Sequence, residues 1–308
     1  MSTPAFISVN GRRTRVRIEG DPADPPVLLL HGIGRSLEDW APQYPRLAQG
    51  HRLIALDLPG FGFSARSPEP TTLEVLARGV IETLDALGEQ RPLLVLGNSL
   101  GGAVAQQLLV LDPTRVAGLV LVNSAGFGSE VALPLRLLAV PVLGRLATRR
   151  TTRAGARMAE RLSFADPRLA TKVRIDHALA IARRPDPSTV LLEAVRALAT
   201  PRGSKPRWRA ELTAAVAKDP RPTLIIWGDR DRVLPARHLD SAHRLLPHAE
   251  THLFTGIGHM PQIECPDEFA ARVLAFLADA QSPDRPGTAR PSSASTHRSV
   301  THDAATTL

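Results

Sequence analysis

The sequence predicts an α/β protein in which a mostly parallel β-sheet is flanked by helices. The chain has 308 residues, of which 43% are hydrophobic, so it can bury a large core. Short, continuously apolar runs recur along it, and such runs are typical of strands buried on both faces. Helical patterns separate the runs, and strands that alternate with helices pair in parallel.

The elements follow in order from the N-terminus. Residues 6–18 hold two alternating runs on either side of Asn10-Gly11, a pair that favours the tight turn of a β-hairpin. Turn residues flank each of the apolar runs that predict the later strands: 26–30, 52–56, 92–96, 117–122 and 223–227. Two helical patterns, 72–87 and 99–111, lie between these strands.

The alternation of strand and helix stops after Val122 and resumes only at Thr223. Prolines interrupt the helical patterns in between, which predicts a helical insertion. After residue 280 the composition becomes rich in Ser, Thr, Pro and Ala, which is typical of disorder. We therefore expect three regions: a core formed by residues 1–126 and 211–280, a basic helical insertion at 127–210, and a disordered tail at 281–308.

Composition narrows the class of protein further. No apolar run approaches the roughly 18–20 residues that a membrane span needs, and the N-terminus lacks the apolar stretch of a secretory signal. The single cysteine, Cys265, excludes an internal disulfide and a Cys-rich metal site. We therefore expect a cytoplasmic protein.

The first candidate for chemistry is a Gly-x-Ser-x-Gly motif centred on Ser99. It ends the apolar run at 92–96 and leads directly into the helix at 99–111. A sharp turn from strand to helix needs small residues on both sides and leaves the serine hydroxyl at the N-terminus of the helix. There, the helix dipole and free N–H groups favour developing negative charge. Taken alone, the motif also fits a glycine-rich helix cap.

A serine hydroxyl becomes a nucleophile when a base lies within reach and a third group holds that base. His259 is the candidate base. It lies well after the run at 223–227, in a loop that follows the last strand of the sheet, and such a loop is at the carboxyl edge of the sheet. Asp231, in the loop after 223–227, is the candidate acid, whereas Asp229 suits the turn itself. Four other histidines are expected on the solvated surface: His238, His243, His248 and His252.

A glycine-rich loop after the first buried strand reads His31-Gly32-Ile33-Gly34. Its glycines allow backbone N–H groups to approach a substrate oxygen, and an oxyanion hole needs two such donors. The predicted pair is the N–H of Ile33 and the N–H of Leu100, the residue after the serine. His31 itself is expected to be a structural hydrogen-bonding residue.

In these motifs and their order, the chain resembles the α/β-hydrolase fold superfamily, specifically its members with a helical cap. Residues 57–62, Asp-Leu-Pro-Gly-Phe-Gly, add to the resemblance. It implies an α/β-hydrolase fold with a helical cap inserted after the sixth strand. It also implies that Ser99 is the nucleophile, that His259 is the general base and then acid, and that Asp231 orients the imidazole. No metal or organic cofactor is required.

The leading prediction for the reaction is hydrolysis of a carboxylic ester or another small acyl substrate through an acyl-enzyme on Ser99. Carbon-carbon bond hydrolases of vinylogous diketones, of the meta-cleavage product type, are the alternative, because Asn98 before Ser99 resembles their nucleophile turn. Arginines of the cap would then bind a substrate carboxylate. Those enzymes typically have Trp where this chain has Met260. A cofactor-free perhydrolase or haloperoxidase-like activity is a third candidate. The substrate pocket is expected to include Gly32, Asn98 and Met260.

Positive charge is concentrated in the insertion. Residues 136–209 carry 17 basic and 5 acidic side chains, whereas the whole chain has a formal charge of +8. An apolar stretch at 131–146 is expected to line the acyl pocket or to touch lipid. Arginines recur every four residues and predict a positive stripe on one helix: Arg145, Arg149, Arg153, Arg157 and Arg161. Such a stripe fits a solvated helix face or a weak contact with an anionic membrane surface. Nucleic acid is not an expected partner, because aromatic residues for base stacking are nearly absent from the segment.

Overall fold

An eight-stranded sheet runs through residues 2–281, the part of the chain that the computed structural model describes. The strand order is β1-β2-β4-β3-β5-β6-β9-β10, and β7 and β8 form a separate antiparallel pair. In the main sheet β2 is antiparallel to both neighbours and the other pairings are parallel. The strands are β1 (Ala5–Val9), β2 (Arg12–Glu19), β3 (Pro26–Leu30), β4 (Arg52–Leu56), β5 (Leu93–Asn98), β6 (Val116–Val122), β7 (Ala199–Thr200), β8 (Gly203–Ser204), β9 (Thr223–Gly228) and β10 (Glu250–Phe254).

Twelve α-helices accompany the strands within the described residues. Short 3-10 segments lie at Leu37–Gln43, Pro113–Arg115 and Pro167–Leu169. The helices are α1 (Tyr44–Leu47), α2 (Leu73–Ala86), α3 (Leu100–Leu111), α4 (Leu133–Leu138), α5 (Pro141–Thr148), α6 (Arg153–Ser163), α7 (Lys172–Ala182), α8 (Pro187–Leu198), α9 (Pro206–Val216), α10 (Arg237–Leu245), α11 (Pro261–Glu264) and α12 (Pro266–Gln281).

Both faces of the sheet are covered, as the apolar runs predict. Successive side chains of a strand point to opposite faces, so in β3 Leu28 packs against the helices on one side and Leu29 against those on the other. Helices α2, α3, α9 and α10 contribute to the first core, whereas α1 and α12 contribute to the second. The predicted fold class, a mostly parallel sheet flanked by helices, is confirmed.

The local sequence accounts for most element boundaries. The predicted hairpin forms with Asn10 and Gly11 at positive φ values of 50° and 77°. Helix α2 begins after Thr72, whose hydroxyl accepts a hydrogen bond from the Val75 N–H at 3.2 Å. The sequence does not predict the bounds of strand β10. This edge strand alternates between half-buried and exposed residues, so it lacks the apolar run that marks the other strands.

Helices α4–α8 lie between β6 and β9, after the sixth strand, as predicted, and we refer to residues 127–210 as the cap. Ion pairs join the cap to the loops of the sheet: Arg35 to Glu160, and Arg66 Nη2 to Glu193 Oε1 at 3.1 Å. Helix α9 runs across the expected boundary between residues 210 and 211, and the division into domains stays a prediction. The predicted tail, apart from residue 281 at the end of α12, lies outside the described residues.

The predicted arginine stripe is wrong, because two helices replace the single helix that it requires. Helix α5 ends at Thr148, and α6 starts at Arg153 after the N-cap Thr152. Arg145 therefore lies on a different helix from Arg157 and Arg161, and Arg153 is engaged by Asp176 at 2.6 Å. Within residues 2–281, no helix is both long and apolar enough to cross a membrane.

Candidate active site

Ser99 occupies the sharp turn between β5 and α3. Its backbone has φ 56° and ψ −115°, a region that costs a residue with a side chain on the order of 1–3 kcal/mol. Neighbouring main chain holds it there: the Ser99 N–H donates to Val122 O at 2.9 Å, and Ser99 O accepts from the Ala125 N–H at 3.1 Å. The turn places the side chain at the N-terminus of α3 with 6% of the residue exposed.

The two glycines of the motif are required by close backbone approach. A Cβ atom added at Gly97 would overlap the carbonyl of Gly101, and one added at Gly101 would overlap the carbonyl of Leu30. The first helical turn after Ser99 therefore packs directly on the end of β3. The sharp turn depends on this absence of side chains.

Asp231 and His259 form a hydrogen-bonded pair at the carboxyl edge of the sheet. His259 Nδ1 lies 2.7 Å from Asp231 Oδ2, and the Asp231 side chain is fully buried. Asp231 Oδ1 accepts the backbone N–H groups of Val233 and Leu234 at 2.7 and 3.0 Å. Asp229, the competing aspartate, instead accepts the Gly256 N–H at 2.7 Å and closes the turn.

The main chain of His259 is held from two directions. Its N–H donates to Ser163 O at the end of α6 at 3.0 Å, and its carbonyl accepts from Asn98 Nδ2 at 3.1 Å. Within the described residues no hydrogen bond joins the Ser99 hydroxyl to the His259 imidazole. Because Asn98 precedes Ser99, its bond to His259 brings the serine turn and the histidine loop together.

Asn123 completes the surroundings of Asp231 and was missed by sequence reasoning. Its Nδ2 donates to Asp231 Oδ2 at 2.7 Å, and the residue is fully buried with a positive φ of 44°. A signal was present, because a polar residue stands directly after the apolar run at 117–122, beside the strand that leads to Asp231. It could have been found from the rule that polar groups at the carboxyl ends of parallel strands meet.

The glycine-rich loop after β3 is fixed by His31. The Leu58 N–H donates to His31 Nε2 at 3.0 Å, so the ring proton lies on Nδ1, which donates to Gly32 O at 2.8 Å. Burial lowers the pKa of His31, which keeps the ring neutral. His31 is thus a structural residue, as predicted.

The two predicted oxyanion donors lie at the same cavity as Ser99. Ile33 and Leu100 both line it. Within residues 2–281 the Ile33 N–H has no hydrogen-bond acceptor, and the Leu100 N–H, as the first of α3, has no partner in its own helix. Both donors are therefore available to a ligand oxygen.

An apolar cavity of about 70 Å³ lies next to Ser99. The polar side-chain groups of its lining are the hydroxyls of Ser99 and Ser204 and the indole N–H of Trp208, and none of the described residues that line it is charged. The core contributes Ile33, Ser99, Leu100, Ala125, Val233 and Leu234, and the cap contributes Val131, Leu135, Val195, Leu198, Ala199, Ser204 and Trp208. The cap thus forms one wall of the cavity.

The cavity is lined by other residues than the three that the sequence suggested for the pocket. Asn98 is 1% exposed and engaged by main-chain carbonyls, and Met260 packs with Phe164 and Ile263. Gly32 lies close to Ser99, since an added Cβ would stand 3.4 Å from the Ser99 Cβ.

The expectation of a solvated His238 is wrong. The residue is 2% exposed, lies edge-on against Trp227, and its Nε2 is 2.9 Å from Glu130 Oε2. Helix α10 turns this side chain towards the sheet, where Gly128 leaves room for the ring. In the described part of the chain, no group of three or more His, Cys, Asp or Glu residues is arranged to hold a metal ion.

Comparison with known proteins agrees with this architecture. The family model of the alpha/beta hydrolase fold matches residues 25–266. The chain is 33% identical over 274 residues to a dihydrolipoyllysine-residue acetyltransferase component of an acetoin cleaving system from Pseudomonas putida, a match that covers 89% of this chain and 69% of that protein. It is 27% identical to Lipase 1 of Psychrobacter immobilis, over 83% of this chain and 78% of the lipase. Among solved structures, a meta-cleavage product hydrolase from Pseudomonas fluorescens IP01 has a TM-score of 0.75 and 26% identity, covering 90% and 98% of the two chains.

We expect Gly101→Ala to lower the free energy of unfolding by about 3 kcal/mol, because the new methyl group overlaps the Leu30 carbonyl. Urea denaturation measures the change. Gly155→Ala, the same substitution in α6, is the control, since its nearest neighbour would be Thr152 Oγ1 at 3.3 Å. Equal stability of the two variants would contradict the packing argument.

We expect His31→Gln to make stability less sensitive to acid. The pKa of His31 is lowered in the fold from an ordinary 6.5, so below pH 6.5 the unfolded chain takes up a proton that the folded chain refuses. The parent should therefore lose up to about 1.4 kcal/mol more than the variant for each pH unit below that value. Denaturation curves at neutral and mildly acidic pH test this, and parallel pH profiles would count against it.

Proposed function

Because the chain belongs to the α/β-hydrolase fold family, we propose that it is a serine hydrolase that cleaves carboxylic esters with a short, apolar acyl group. The observation that carries the proposal is the uncharged apolar cavity beside Ser99. An apolar acyl chain gains free energy when it leaves water for such a cavity. The ester carbonyl would then lie at the N-terminus of α3.

In the proposed reaction, the Ser99 Oγ attacks the ester carbonyl while His259 accepts the hydroxyl proton. Asp231 keeps the imidazole in place and stabilises its positive charge, and the N–H groups of Ile33 and Leu100 donate to the oxyanion. The bond to the alcohol then breaks, and the alcohol leaves with the proton from His259. Water, deprotonated by His259, attacks the acyl-enzyme, releases the acid and restores Ser99.

The distribution of charge favours an ester over the vinylogous diketone acid of the alternative. A buried carboxylate is costly without a cationic partner. Two arginines of the surrounding loops are already engaged: Arg35 binds Asp39 and Glu160, and Arg184 binds the main-chain carbonyl of Ser64 at 2.6 Å. Neither lines the cavity in the described part of the chain.

The size of the cavity supports a short acyl group. A water molecule occupies about 30 Å³ in the liquid, and an apolar cavity of about 150 Å³ accepts benzene. A cavity of about 70 Å³ therefore has room for a few carbon atoms.

A second candidate, carbon-carbon bond hydrolysis, is favoured by one feature. Asn98, the residue before Ser99, is tied to the histidine loop by its bond to the His259 carbonyl. A similar solved structure is that of a meta-cleavage product hydrolase, and a similar protein is a lipase, so proteins named for each reaction occur among those that resemble this chain.

A panel of p-nitrophenyl esters from acetyl to palmitoyl, run beside a vinylogous diketone acid, tests the proposal. We expect the highest kcat/KM for acetyl to butyryl esters and a loss of at least about 1,000-fold in Ser99→Ala. Ser241→Ala, on α10, is the matched control and should retain the parent's activity. Faster cleavage of the diketone acid than of any ester would replace the proposal with the second candidate, and turnover that survives in Ser99→Ala would overturn both.

We also propose that Asn123 is a positioning residue for Asp231. Removing its amide should lower kcat by about tenfold and leave KM nearly unchanged, since it touches Asp231 rather than the substrate. Asn123→Gly tests this best, because glycine tolerates the positive φ of 44°. Asn123→Ala adds the backbone strain. Full activity of Asn123→Gly would show that the amide is dispensable.

A further inference from the structure

Helices α4 and α5 expose large apolar side chains next to one another. On α4, Leu133 and Leu137 are 59% and 45% exposed and lie one turn apart. On α5, Val142, Leu143 and Leu146 are 66%, 48% and 60% exposed. The two helices are in contact, so these five residues, which we call the cap patch, form one surface. Single exposed apolar residues are ordinary, but a group of them marks an interaction site.

The charged residues of the chain segment that carries the cap patch have one sign. Residues 131–159 contain six arginines and no aspartate or glutamate. Among the described residues, five of these arginines have no carboxylate within ion-pair distance: Arg136, Arg145, Arg149, Arg150 and Arg157. Arg145 lies on α5 itself, and Arg149 and Arg150 follow its last residue. Cationic groups therefore border the apolar side chains.

This combination fits the surface of an anionic lipid bilayer. The apolar side chains match the acyl boundary of the membrane, and the guanidinium groups match the lipid phosphates. A second copy of the chain fits poorly, because a symmetric contact would bring the same unpaired arginines face to face.

We infer that α4 and α5 dock onto an anionic lipid surface, with the cap patch in the interface and the bordering arginines on the headgroups. The contact is peripheral, since six and eight residues give helices of about 9 and 12 Å, and a bilayer core is about 30 Å thick. Leu135, between Leu133 and Leu137 on α4, lines the cavity beside Ser99. Docking would therefore place that cavity one helix away from the lipid. The inference concerns binding and does not depend on the proposed reaction.

Sedimentation of the full-length protein with vesicles tests the inference. We expect binding to vesicles of phosphatidylcholine mixed with phosphatidylglycerol, weaker binding to phosphatidylcholine alone, and release by salt. Val142→Ser/Leu146→Ser should weaken binding at least about tenfold. Arg145→Gln/Arg149→Gln should weaken it about fivefold for each charge removed. All four side chains are exposed, so the variants should keep the parent's fold, and circular dichroism verifies this.

Two controls make the outcome specific. Leu111→Ser removes a side chain that is 40% exposed at the far end of α3, on the opposite edge of the sheet. Arg207→Gln/Arg244→Gln removes two charges from α9 and α10. The inference is overturned if binding falls equally in the controls and in the variants of the cap patch and its bordering arginines. It is also overturned if the parent protein binds neither kind of vesicle. If vesicles are not bound and size-exclusion chromatography shows a dimer that the cap-patch variants dissociate, the patch joins two copies instead.

Discussion

The candidate site depends on one buried carboxylate. Asp231 is fully shielded from water, so its two oxygens must be satisfied by protein donors. Four groups do this: the imidazole of His259, the amide of Asn123, and the backbone N–H groups of Val233 and Leu234. These donors come from the segments that follow β6, β9 and β10, and the cost of leaving the carboxylate unpaired favours the arrangement in which the three segments meet.

Hydrogen bonds and close packing likewise stabilise the strained backbone of Ser99. The turn is fixed by hydrogen bonds to β6 and to the segment that follows it, and by glycines that let α3 touch β3. Asn98 then connects the turn to the histidine loop. Rigid neighbours on both sides hold a conformation that an isolated chain would avoid. The Ser99 hydroxyl thus stands at the N-terminus of α3.

The sequence predicted those structural features that depend on the residues of one short segment. The apolar runs predicted the central strands. Glycine spacing and loop position singled out Ser99, Asp231 and His259, which the structure places at the carboxyl edge of the sheet. The sequence did not predict the position of a side chain where that position depends on packing against residues far away in the chain. The burial of His238 requires the rotation of α10 over Gly128, and the wall of the cavity is built by cap helices whose packing no periodicity describes. The prediction of an arginine stripe was wrong because the four-residue spacing of the arginines continues through 149–152, where the chain is not helical.

Two parts of the cap contact different parts of the candidate site. The end of α6 accepts the backbone N–H of His259, and Glu160 of the same helix binds Arg35 beside the glycine-rich loop that follows β3. A displacement of α6 would therefore move both His259 and the loop that carries Arg35. In the described part of the chain, α4 reaches the cavity through Leu135, and no residue of α5 lines it. Under the proposed function, substitution in α4 would change which acyl groups fit the cavity, while the hydrogen bond from the end of α6 would keep His259 in place.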